Sequence, residues 1–146
     1  MRKSTGMIST LVLGAALSVP VTAAQAAPAA PAAASVSAAA SCHGLIAKAY
    51  SLNNKAISAS GARSYQKAAG YNHLTRGKIV NAEYACRHAH HADRIRGALD
   101  GARNGTESAE HHNKRAYIEH DRRAGRAALN DEYDVKNDLR KALHYS

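Results

Sequence analysis

The chain has 146 residues, with 20 Lys and Arg against 11 Asp and Glu, a formal charge of +9, no Phe or Trp and two cysteines. Such a balance draws a protein towards polyanions such as wall polymers, anionic lipid heads or acidic glycans. The lack of any Cys-x-x-Cys excludes thioredoxin-like redox chemistry and c-type haem attachment.

Residues 1–26 read as a cleaved signal peptide: Arg2 and Lys3, an apolar run over 7–21, then Ala24-Gln25-Ala26 before the cut. That run, broken by Pro20, is shorter than the roughly 20 residues a spanning helix needs, so no membrane span is expected in the mature protein. Residues 27–41 are Ala, Pro, Ser and one Val, a tether with nothing to bury. The remaining 42–146 form one domain. Only 14 of its 105 residues are Leu, Ile or Val, about 13%, below the roughly 20% at which disorder competes with folding.

The expected elements are all helical. Ser41 caps a first helix carrying Leu45, Ile46, Ala49, Tyr50 and Ile57, weakened by Asn53-Asn54 and ended by Ser60-Gly61. A short turn of helix over 63–69 stops at Gly70. A central helix over 72–102 follows, with Ile79, Ala82, Ala85, Cys86, Ala89, Ala92, Ile95 and Leu99 on one face. Gly97, Gly101 and Gly105 recur every fourth residue, a spacing that permits close helix contact, but Asp-Gly and Asn-Gly are breakers, so Gly101 to Gly105 reads as a turn. Thr106 then caps a last helix, with Glu107 and Glu110 in its first turn and Asp131 and Asp138 interrupting its apolar stripe. In an exported chain Cys42 and Cys86 pair, stapling the first helix to the central one. The fold expected is therefore all-α, a small disulfide-stapled helical hairpin or three-helix bundle, thin enough to invite a homodimer.

Three chemistries suggest themselves. The first is electrostatic: residues 42–82 hold Lys48, Lys55, Arg63, Lys67, Arg76 and Lys78 and no acid, and beyond residue 26 the charge is 18 Lys and Arg against 11 Asp and Glu, or +7. This segment is the expected contact for anionic polymers of the cell envelope, and it needs no cofactor. Arg115, Arg122, Arg123 and Arg126 alternate with acids and isolated tyrosines, so no specific nucleic-acid reader is expected. The second is metal binding. His88 and His91 are three apart, and a turn at 101–105 would bring His91 and His112 face to face, with His120 beyond. Facing imidazoles of this kind hold a transition metal or haem.

The third is hydrolysis. Ala85-Cys86-Arg87-His88 resembles the Cys-x-Arg-His-Asp helix of the small secreted bacterial phospholipases A2, with Ala89 in place of the aspartate. The resemblance covers four residues and implies His88 as a general base; that family's second disulfide and aromatic core are missing. No serine stands in a Gly-x-Ser-x-Gly elbow, so a binding or structural role is favoured over an enzyme. The Ala/Pro-rich leader and Ala/Arg-rich body resemble secreted proteins of high-GC Gram-positive bacteria.

Overall fold

The computed structural model describes residues 32–146, with side chains from Cys42 onward. The signal peptide expected over 1–26 lies outside the described residues, as do the side chains of the tether expected over 27–41.

Four helices follow one another: α1 Ala32–Gly61, α2 Tyr65–Ala85, α3 Ala92–Ile118 and α4 Arg122–Tyr145. No strand occurs among the described residues. The connections span only 62–64, 86–91 and 119–121, so each helix runs antiparallel to the one before. Each packs on the next, and α4 closes the ring against α1. The expected hairpin or three-helix bundle is thus a four-helix bundle.

The helices meet because their buried positions recur at alternating spacings of four and three. On α1 these are Cys42, Ile46, Ala49, Asn53, Ala56 and Ser60; on α2, Ala68, Asn72, Thr75, Ile79 and Ala82. On α3 the series is Ile95, Leu99, Ala102, Thr106, Ala109, Asn113 and Ala116. On α4 it is Gly125, Ala128, Glu132, Val135, Leu139 and Ala142. This is a heptad seam, which keeps one stripe of each helix on the bundle axis.

The core has two unlike halves. Around the disulfide lie Ile46, Ile79, Ile95, Leu99, Val135 and Leu139. Towards the other end the seam positions hold alanines together with Asn53, Ser60, Asn72, Asn113 and Glu132. Here Glu132 Oε1 accepts from Asn72 Nδ2 at 2.8 Å, Asn113 Nδ2 at 2.9 Å and Ser60 Oγ at 2.9 Å, while Asn53 Nδ2 donates to the Glu132 carbonyl at 2.9 Å. One carboxyl so ties all four helices together.

Several boundaries differ from the sequence expectation. The helix α1 begins at Ala32, ahead of Ser41. Helix α2 runs through Gly70 without the stop expected there, and Asn72 and Thr75 lie buried in its interior. Thr106 likewise lies inside α3. The central helix over 72–102 is two helices, broken at 86–91, where Ala89 N–H bonds Cys86 O at 3.0 Å and Ala92 N–H bonds Ala89 O at 3.1 Å. Conversely 101–105 is not a turn but the middle of α3. A Cβ on Gly101 would stand 2.6 Å from Asp138 Oδ2, and one on Gly105 2.6 Å from Val135 Cγ2. These glycines let α4 approach α3 closely. The last helix ends its first part at Ile118. His120 takes φ 54°, a left-handed conformation, and Asp121 caps α4 by accepting from Arg123 N–H at 2.7 Å.

The disulfide Cys42–Cys86 forms as expected and closes a separation of 44 residues. Beside it, His43 Nδ1 lies 2.9 Å from Ser146 Oγ, so the chain enters and leaves the bundle at one end. Among the described residues no helix is long and apolar enough to cross a membrane.

Candidate anion-binding groove

The turn between α1 and α2 is tight. Arg63 adopts φ 59°, Arg63 N–H bonds Ser60 O at 2.9 Å and Ser64 N–H bonds Ala59 O at 2.8 Å. Ser64 is the N-cap of α2, but its hydroxyl makes no capping hydrogen bond, so no side chain satisfies the first N–H groups of that helix. A groove of about 510 Å³ lies between α1 and α2 beside this turn. Its polar wall comprises Ser51, Asn54, Lys55 and Ser58 from α1, and Ser64 and Lys67 leading into α2. None of its lining residues is acidic, and neither lysine forms an ion pair among the described residues. Lys67 Nζ stands 6.0 Å from the Tyr71 ring centroid, which forms part of the floor.

Helical geometry extends this wall. Lys48 and Lys55 are two turns apart on one face of α1, about 10 Å along the axis. Lys67 and Lys78, three turns apart, share a face of α2 over about 16 Å. Because the two helices are antiparallel, the four lysines line one seam in two pairs, with Arg63 exposed at its closed end. The sixth expected residue, Arg76, turns the other way: its Nη2 lies 3.5 Å from Glu110 Oε2 on α3. Five of the six cations expected at a polyanion contact thus lie along one face, and one does not.

The histidines are placed differently from the expectation. His91 is the N-cap of α3, and His112 lies 21 positions further along that same helix, roughly 30 Å away at 1.5 Å per residue. They cannot share an ion, because the 101–105 turn that was to bring them together is helix. His88 is exposed in the α2–α3 connection, and His120 is exposed in the α3–α4 connection. The pair that does form is His90 Nδ1 and His91 Nε2, 3.2 Å apart, with the His91 ring 5.9 Å from that of Tyr145. Among the described residues no three of His, Cys, Asp and Glu gather as a metal site.

His88 also loses the helix that its resemblance to the phospholipase A2 motif implied, since 86–91 is a turn. His112 Nδ1 and Ser108 Oγ both contact Asp131 Oδ2, at 2.9 and 2.8 Å. With the hydroxyl donating to the carboxylate rather than to the imidazole, this is no relay for activating a serine.

Sequence reasoning missed the polar half of the core. Burial pushes the Glu132 carboxyl above its ordinary range, against the hydrogen bonds from Asn72, Ser60 and Asn113, and the neighbouring Asp131 charge adds to the rise. Glu132 Oε2, Asn53 Oδ1 and Asn72 Oδ1 are buried without hydrogen-bond partners. Three lone acceptors and no donor suit a protonated carboxyl, whose O–H supplies the missing donor. The signal was present in the heptad spacing of Asn53, Ser60, Asn72, Asn113 and Glu132, but polar residues at those positions hide it.

Comparison with known proteins finds no relative: no family model matches the chain, and no curated protein or solved structure matches it.

Proposed function

We propose that the protein is an exported, non-catalytic binding factor that holds anionic polymers of the cell envelope or extracellular space along the α1–α2 seam. The observation that carries this reading is the acid-free groove containing Lys55 and Lys67, continued by Lys48 and Lys78. Two unpaired rows of ammonium groups suit a flexible chain of repeated negative charges better than one small anion. The start of α2, where Ser64 makes no side-chain cap, adds the positive end of its helix dipole at the closed end. The signal peptide expected over 1–26 and the Cys42–Cys86 disulfide are consistent with an oxidising, extracellular setting.

The test is retention on a heparin-like or wall-teichoic matrix. Lys55→Gln with Lys67→Gln is expected to elute at clearly lower salt than the unaltered protein. Arg122→Gln with Arg126→Gln removes equal charge from the exposed start of α4 and is expected to change elution much less. Equal losses in the two pairs would mean that net charge alone binds, and the groove reading would fail.

A further inference from the structure

On the other side of α2 lies a second groove, between α2 and α3, of different chemistry. Its volume is about 440 Å³, within the ~300–1,000 Å³ typical of small-molecule sites. Its walls are apolar. Leu74 and Tyr117 are 53% and 51% exposed, and Ile118, at the end of α3, is 73% exposed. Exposed apolar side chains that converge on one hollow mark a surface for a ligand or partner.

At the deep edge of the groove sits Glu110, whose carboxylate is 9% exposed. Lys114 Nζ donates to its Oε1 at 2.6 Å, and Arg76 Nη2 lies 3.5 Å from its Oε2. Two permanent cations flank one anion, so a positive charge is left over beside the apolar wall. It is accessible, because the Lys114 side chain is 59% exposed. His73 lines the same edge. Its Nδ1 is 3.4 Å from Arg76 Nη2 and 3.6 Å from Glu110 Oε2. No other acid lines this groove.

We propose that the α2/α3 groove binds a single-chain anionic amphiphile, its head on Lys114, whose partner Glu110 is also held by Arg76, and its tail along Leu74, Tyr117 and Ile118. A monomeric ligand suits the volume. The site is independent of the polyanion seam, since it shares none of the lining residues.

The probe is laurate below its micellar concentration, titrated into the full chain with its disulfide intact and followed by calorimetry. Dodecyltrimethylammonium provides the same tail with a positive head, and anionic phospholipid vesicles provide the same head chemistry in a bilayer. Laurate is expected to saturate a single site per chain. Leu74→Ser and Ile118→Ser are each expected to weaken it about tenfold, since each removes an apolar side chain that the tail would cover. Both residues are exposed, and unchanged circular dichroism would confirm that the bundle persists. Lys114→Gln is expected to weaken laurate and leave the ammonium probe unaffected. The proposal is overturned by equal affinity for both heads, by laurate binding indifferent to Leu74 and Ile118, or by vesicle binding through these residues without monomer binding. Self-association relieved by Ile118→Ser, with no laurate binding, would overturn it too and assign the groove to a second copy of the chain.

Discussion

Glu132 shows how much one residue can set. A buried carboxyl that receives three hydrogen bonds and faces no cation is tolerated when neutral and strained when ionised. Its pKa is raised in the folded state above the unfolded value of about 4.3. The folded state therefore holds the proton more tightly. The resulting stability is fully present below the unfolded value and is lost as pH rises through the folded one. Glu132→Gln keeps an acceptor for Asn72, Asn113 and Ser60, and its amide N–H₂ permanently supplies the donor that the protonated acid provides. Urea midpoints of this variant are expected to change little with pH over the range in which the unaltered protein weakens. Parallel curves would remove the neutral-acid account. Glu110 behaves oppositely. Burial pushes its carboxyl up, but the Lys114 hydrogen bond and the charges of Lys114, Arg76 and His73 outweigh that and hold it below the usual range. Its stabilising contribution is therefore lost as pH falls through the folded value.

Among the elements, α3 is the most instructive. Its glycines look alike in sequence and differ in structure: a Cβ at Gly97 meets nothing within 4 Å, whereas one at Gly105 meets Val135 Cγ2 at 2.6 Å. Gly97→Ala is expected to raise stability by about 0.5–1 kcal/mol, the helix-propensity gain. Gly105→Ala has the same propensity gain but must displace a β-branched side chain that is 1% exposed, so a net loss of about 1–2 kcal/mol is expected. Chemical denaturation of the two variants decides it, and the same sign for both would refute the close-packing account. The same contrast explains what could be read in advance. The all-helical class, the end of α1 at Gly61 and the disulfide were legible because propensity, a terminal Gly and the count of two cysteines are local signals. The turns at 86–91 and 119–121 carry neither Gly nor Pro. The first arises because the chain must reverse for Ile95 and Leu99 to reach Ile79, and the second because it must reverse again for Val135 and Leu139 to join them, which are tertiary demands. The glycines at 101 and 105 pointed to a turn, but the helix keeps them for contact with α4. Of the candidate sites, the lysine seam was legible as a run without acids; the amphiphile groove was not, since it is assembled from α2 and α3 residues far apart in sequence.

At the scale of the whole molecule, the thin apolar content is concentrated. The fully buried aliphatic residues gather beside Cys42–Cys86, and the alanine-rich half is fixed by hydrogen bonds instead. The staple therefore reinforces the half that is already best packed and anchors a bundle whose other half has little apolar area. Closing 44 residues is worth about 4 kcal/mol in the chain-entropy account. Cys42→Ser with Cys86→Ser is accordingly expected to lower the melting temperature by about 15 °C or more. A shift of a degree or two would mean that the seam holds without it.

The contact of His43 with Ser146 gives the bundle a direction. The chain enters and leaves at one pole, while the α1–α2 turn that closes the lysine seam and the α3 terminus that edges the apolar groove lie at the other. Anything that moors the bundle at Cys42 or Ser146 would hold it like a lamp on a post, its base fixed and both grooves turned outward. A reporter or carrier domain joined at residue 42 or residue 146 would leave the two grooves uncovered.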